Sequence, residues 1–179
     1  LRALAAQLSA TAPTALGLNL LAAPAARAQS APAVIGVVAP FTGPQGVTGR
    51  AVLAGARLAF DAVNARGGVR GQKLQLVTRD DAQKPDETVR LVRELVEQVR
   101  PVALLGTVGT SNLEALAKDG TLQRVRVPMV GAVSGAHSVV GVPGFYVVKA
   151  SYREEVDRLF SQLAQLGQRR VGLVYQDDG

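Results

Sequence analysis

Three segments of this sequence hold residues whose types and spacing could do chemistry. The first is Gly106-Thr107-Val108-Gly109-Thr110-Ser111, which joins an apolar run to a helix-forming one. Free backbone N–H groups and the positive end of a helix dipole at such a junction favour an anion. The Thr110 and Ser111 hydroxyls add donors suited to a carboxylate. Ser111-x-x-Glu114 also fits a capping box, a competing use for that hydroxyl, so Thr110 is the stronger ligand candidate. The second segment, Ala132-Val133-Ser134-Gly135-Ala136, offers carbonyls to an ammonium group and one hydroxyl, or is a plain small-residue loop. The third, Pro40 to Gly49, is a Gly/Pro-rich loop without Gly-Lys-Ser/Thr or Gly-x-Gly-x-x-Gly. Asp80, at the end of a strand-like run, could mimic a ribose-binding acid. However, the two prolines and the length of the loop spoil a tight pyrophosphate turn.

Other chemistries lack their residues. With no cysteine there is no disulfide, thiolate nucleophile or Cys-ligated metal. The single histidine, His137, cannot build a metal cluster, and without a Gly-x-Ser-x-Gly elbow it reads as a loop histidine. Asp177 and Asp178 read as a solvated pair rather than a general acid and base. The formal charge is +6; setting aside Arg2 and Arg27 leaves 18 basic residues against 14 acidic, spread over several helices. Aromatics make up only 4% of the chain, too few to stack bases beside a basic patch, so nucleic acid is not an expected partner. No cofactor is expected either.

The elements that must position these segments follow from periodicity. Residues 1–28 have Arg2, an Ala/Leu-rich run and Ala26-Arg27-Ala28, the pattern of an export signal cleaved after Ala28. The whole chain is 47% hydrophobic and 19% charged, enough for a packed core. Leu53, Ala56, Phe60 and Val63 share one helix face, with Thr48 as N-cap and Gly67 as the stop. A second helix starts at Pro85, with Val89, Val92, Val96 and Val99 inward. Ser111 and Ser151 open two more; Val156, Leu159, Phe160 and Leu163 are the inward face of the last. Strands are expected at Val34–Val38, Leu74–Thr78, Val102–Gly106, Pro128–Gly131, Phe145–Lys149 and Val171–Tyr175. The alternation implies an α/β fold, a Rossmann-like parallel sheet flanked by helices, with ligand beyond the carboxyl ends of the strands.

Gly43-Pro44, Gly49, Gly55-Ala56-Arg57, Asn64-Ala65-Arg66-Gly67-Gly68-Val69-Arg70-Gly71, Asp80-Asp81-Ala82 and Gly106 occur in this order. Over residues 33–179 the sequence thereby resembles the Leu/Ile/Val-binding proteins of branched-chain amino acid transporters. The resemblance implies two α/β lobes closing on a ligand, no catalysis, and delivery of an amino acid or small carboxylate to a membrane ABC permease. It implies a periplasmic monomer. Residues 33–150 would form the first lobe and 151–179 the start of the second, so the chain would be about half of such a protein. A single lobe is expected to bind weakly.

By position, the resemblance carries a cleft side chain onto Thr48 and the carboxylate-binding hydroxyl onto Thr110, with Gly109 and Ser111 beside it. Val133 and Gly135 fall in the loop that meets ammonium and carboxylate. The family often has threonine where this chain has Gly135, a lost hydroxyl unless Ser134 supplies it. Gln83 and Gly109 fall where some relatives carry a disulfide. Two other roles stay open: the ligand-sensing domain of a signalling protein, and an exported α/β enzyme.

Overall fold

The computed structural model describes residues 31–174. The export-signal reading of residues 1–28 and the Asp177-Asp178 pair lie outside them. Five parallel strands form one sheet in the order β2-β1-β3-β4-β5. They are β1 (Ala33–Ala39), β2 (Leu74–Asp80), β3 (Ala103–Leu105), β4 (Met129–Ala132) and β5 (Phe145–Val147). The helices are α1 (Gly46–Ala65), α2 (Pro85–Gln98), α3 (Thr110–Asp119), the short α4 (Thr121–Val125) and α5 (Tyr152–Gln165). The expected α/β class and parallel sheet are present. Since β1 pairs with both β2 and β3, the connections leaving β1 and β3 diverge, and the crevice between them is the usual ligand position in such sheets.

The core lies between the sheet and the α2–α3 layer. Val92, Leu95, Leu104, Leu113, Leu116, Leu122 and Met129 are each at most 1% exposed. Pro85 stands at the first position of α2 as expected, with Asp86 and Glu87 in the first turn facing the positive dipole end. Val92 and Val96 are buried, and Val89 and Val99 pack at the edge of the same cluster. On α1 the expected face holds, with Leu53 buried and Ala56, Phe60 and Val63 half-buried.

Loop chemistry explains the glycine-rich turn after α1. Gly67 donates to the Asn64 carbonyl, and a two-residue hairpin follows in which Val69 and Gln72 exchange backbone hydrogen bonds (2.8 and 2.9 Å). Its central residues, Arg70 and Gly71, both have positive φ (51° and 81°), the type I′ geometry that matches strand twist. The Asn64 side chain then pairs with both backbone groups of Leu74 at the start of edge strand β2 (2.7 and 2.9 Å).

Four expectations need correction. Thr48 is not the N-cap of α1: the helix starts three residues earlier than that cap would place it, Gln45 takes that position, and the Thr48 hydroxyl donates back to Gln45 Oε1 (3.0 Å). The early start is possible because Gly49 lets the helix press on the loop; a Cβ there would stand 1.8 Å from the Pro40 carbonyl oxygen. Second, Ser111 and Glu114 form no capping box. Gly109 is the N-cap, Ser111 is exposed, and Glu114 accepts instead from Ser138. Third, residues 171–174 form no strand. Fourth, the α5 stripe does not point into a core: Val156, Leu159 and Phe160 are 48%, 54% and 47% exposed. No described strand lies beneath them, so the amphipathic face has nothing to pack on. The Ser151–Glu154 capping box on the same helix does form, in both directions.

Candidate functional site

The strand ends at the switch point place two of the three chemical segments side by side. The Gly106–Thr110 connection runs from β3 into α3, and Ala132–Gly135 leaves neighbouring β4. The Val133 N–H donates to the Thr107 carbonyl (3.2 Å), and Val108 and Val133 make one further parallel bridge beyond the named strands. This brings Thr110 Oγ1 to 2.9 Å from Ser134 Oγ. Ser134 is fully buried, and its hydroxyl also accepts from the Ala136 N–H (3.1 Å). Ser134 is therefore placed to hold Thr110 rather than to reach out itself. Thr110 is half-buried at the first residue of α3, with Ser111 exposed beside it.

The first intrahelical bond of α3 is Leu113 N–H to the Gly109 carbonyl (3.2 Å). The N–H groups of Thr110, Ser111 and Asn112 thus precede the helical ladder and point from the dipole's positive end. Gly109 has φ of 109°, which places it in backbone territory that favours glycine. The Gln83 amide nitrogen would stand 3.5 Å from a Cβ on Gly109, so Gln83 and Gly109 are neighbours in space.

Tyr152, at the first position of α5, completes the group and carried no signal in the sequence reading. Its N–H donates to the Gly135 carbonyl (2.8 Å). Hydrogen bonding to the Thr110 hydroxyl, then to the Ser134 hydroxyl and the Gly135 backbone, with the nearby Lys149 charge, outweighs burial and holds the Tyr152 pKa below the ordinary tyrosine value. Lys149 Nζ sits 4.7 Å from the ring centroid and pairs with Glu155. Gly135 makes this contact possible: a Cβ there would come within 2.6 Å of the Ala150 carbonyl oxygen and 2.9 Å of the Tyr152 ring.

Thr48 is exposed on α1, and its hydroxyl bonds Gln45 rather than any member of this group. It lies one helical turn before Val52, whose methyl would meet a Cβ on Gly106 at 3.8 Å, so that face of α1 is turned toward the β3 connection. His137 lies in an exposed turn, as expected. Three open grooves lie elsewhere: along α5, between α2 and α3, and at the amino ends of β4 and β5. None of them is lined by Thr110 or Ser134. Among the described residues no cluster of His, Asp or Glu could hold a metal, and no helix is long and apolar enough to cross a membrane.

Asp80 has a structural task in place of the ribose contact considered above. Its carboxylate accepts from the N–H groups of Phe41 (2.8 Å), Thr42 (3.3 Å) and Ala82 (3.0 Å) and from the Thr42 hydroxyl (2.7 Å), pinning the loop after β1. Burial would raise its pKa, but these bonds win and lower it from 3.8 to about 2. A depressed carboxylate stabilises the fold above its unfolded pKa and loses that contribution as pH falls through the folded value. Wild type should therefore exceed Asp80→Asn in urea midpoint at pH 5, with the gap closing between pH 3.8 and about 2. A gap independent of pH would remove the carboxylate from that role.

The sequence matches known proteins along this same span. A family profile described as "Periplasmic binding protein" covers residues 32–179. The Leu/Ile/Val-binding protein homolog 7 of Brucella suis is 27% identical over 172 residues, which is 91% of this chain and 43% of that protein. An amino acid binding protein of Pseudomonas aeruginosa is 40% identical over 73 residues, 41% of this chain and 20% of that protein. The crystal structure of a substrate-binding periplasmic protein from Ralstonia solanacearum superposes with a TM-score of 0.77 at 46% identity, over 81% of this chain and 41% of that one. The chain thus spans less than half the length of each of these relatives. With the parallel sheet, its strand-end loops and the family match over most of its length, this chain belongs to the periplasmic binding protein family.

Proposed function

We propose that the chain supplies the first lobe of a periplasmic solute receptor for an ABC importer, binding an amino acid or related small carboxylate. The observation that carries this reading is the Thr110–Ser134 hydroxyl pair at the amino end of α3, at the switch point of the sheet. The ligand carboxylate would take the Thr110 hydroxyl and the first N–H groups of α3, with Gly109 and Ser111 flanking. Ser134 would act through Thr110. Val133 and Gly135 would lie beside the ligand's other polar end, and Thr48 would face it from α1.

In this reading residues 33–150 are the first lobe and 151–179 begin the second. The bare apolar stripe of α5 supports the division, since Val156, Leu159 and Phe160 are left uncovered by the first lobe. Relatives that contain this chain's match within a protein more than twice its length support a second lobe closing over the site. The receptor would be an exported monomer that hands its ligand unchanged to a membrane permease.

Calorimetric titration of the intact receptor with L-leucine and with leucinol, which lacks the carboxylate, tests the reading. L-leucine should bind, and leucinol should bind at least about 10-fold more weakly, as a lost charge-assisted hydrogen-bond set requires. Equal affinity for the two would remove the carboxylate from the site.

A further inference from the structure

Asp81 is 1% exposed and no cationic side chain contacts its carboxylate among the described residues. A buried carboxylate without a counter-charge needs several donors to persist. Here they converge from three elements. Thr88 of α2 donates its hydroxyl (2.6 Å), Thr107 of the β3–α3 connection donates its hydroxyl (3.5 Å), and Asn112 of α3 donates its amide (3.4 Å) to Oδ2. The Gln83 N–H donates to Oδ1 (2.9 Å), and Asn112 also bonds Thr88 (2.6 Å). Thr88, Thr107 and Asn112 are themselves at most 1% exposed.

Two of these spokes end at the candidate ligand site. Asn112 belongs to the first turn of α3, two residues after Thr110. Thr107 uses its carbonyl to hold Val133, and through it the loop that carries Ser134. Building on the ligand reading above, we infer that Asp81 is a positioning residue: its carboxylate fixes the β3–α3 connection, and hence Thr110, at the geometry that meets the ligand. A purely structural role would need only satisfied donors anywhere in the core. The spokes instead reach the one helix end that faces the ligand and the loop beside it.

Asp81→Asn keeps shape but replaces one acceptor oxygen with an NH2 donor, so either the Gln83 N–H or the Thr88, Thr107 and Asn112 donors lose their acceptor, and the charge that draws all four is gone. Asp119→Asn is the control. Asp119 is a second poorly exposed carboxylate, bonded to Arg93 and Thr121 at the opposite end of α3. Residue-resolved hydrogen exchange on the intact protein is measured for wild type and both variants, with L-leucine titrated into the same samples. In Asp81→Asn the Leu113 and Val133 amides, which bond the Gly109 and Thr107 carbonyls, should exchange at least about 10-fold faster, while β1–β2 amides hold. L-leucine affinity should fall about 10-fold or more, and Asp119→Asn should leave it unchanged. Uniform acceleration through β1 and β2, no local acceleration, or the same affinity loss in Asp119→Asn would overturn the inference. If wild type binds no L-leucine, leucine is not the ligand, and the exchange pattern alone decides the role of Asp81. Should Asp81→Asn not fold, Thr107→Val removes one spoke and is read by the same two measurements.

Discussion

Replacing Thr110 with alanine in the intact receptor should weaken ligand binding by about 1–3 kcal/mol, roughly 5- to 150-fold in Kd. The loss has two sources. The hydroxyl that would bond the ligand carboxylate goes, and Ser134 loses the partner 2.9 Å away while remaining fully buried. Thr110→Ser restores the hydroxyl, and with it both interactions, and should recover most of the affinity. Calorimetry at constant pH reads both variants. If Thr110→Ala binds as tightly as wild type, Thr110 is not a ligand residue and the carboxylate must sit elsewhere along the crevice.

A second large effect is expected from Gly135→Thr, which puts a side chain and a hydroxyl into the loop beside Thr110. An added hydroxyl at the site would by itself strengthen binding; the packing here says the reverse. Its Cβ would stand 2.6 Å from the Ala150 carbonyl oxygen and 2.9 Å from both the Tyr152 ring and the Tyr152 nitrogen. Two of those three obstacles are backbone, so relief requires moving the start of α5. Overpacking of this kind costs about 1–3 kcal/mol of stability. It should also displace the Tyr152 hydroxyl from Thr110 and Ser134. We expect a lower Tm and weaker binding together. A variant that binds more tightly at unchanged Tm would show that the loop yields freely and that Tyr152 is not locked in place.

The contrast between these two positions marks how far the sequence could be read. The position of Thr110 at a helix start was legible because a glycine-to-helix junction is a local signal. Local signals also placed Pro85 at the start of α2 and Ser151 at the cap of α5, where the relevant partner lies within one turn. Ser111 misled for the same reason: the capping-box spacing is present, but Glu114 is drawn to Ser138 across space. Tyr152 and Asp81 escaped because their partners come from other elements, which periodicity does not report. The α5 stripe shows the other limit. A hydrophobic period gives the face that must be covered, not what covers it.

The strand order has a consequence for the time course of folding. Strand β1 is made first yet lies inside the sheet, pairing Ala33 with Leu74 on one side and Ile35 with Ala103 on the other. Neither contact exists until a long stretch of later chain has been synthesised, and every pairing in the sheet is non-local. Such topologies fold slowly, because loop-closure entropy must be overcome before any pairing rewards it. A nascent chain of this design would linger in an unfolded, threadable form, the condition under which a polypeptide can still pass through a narrow membrane channel.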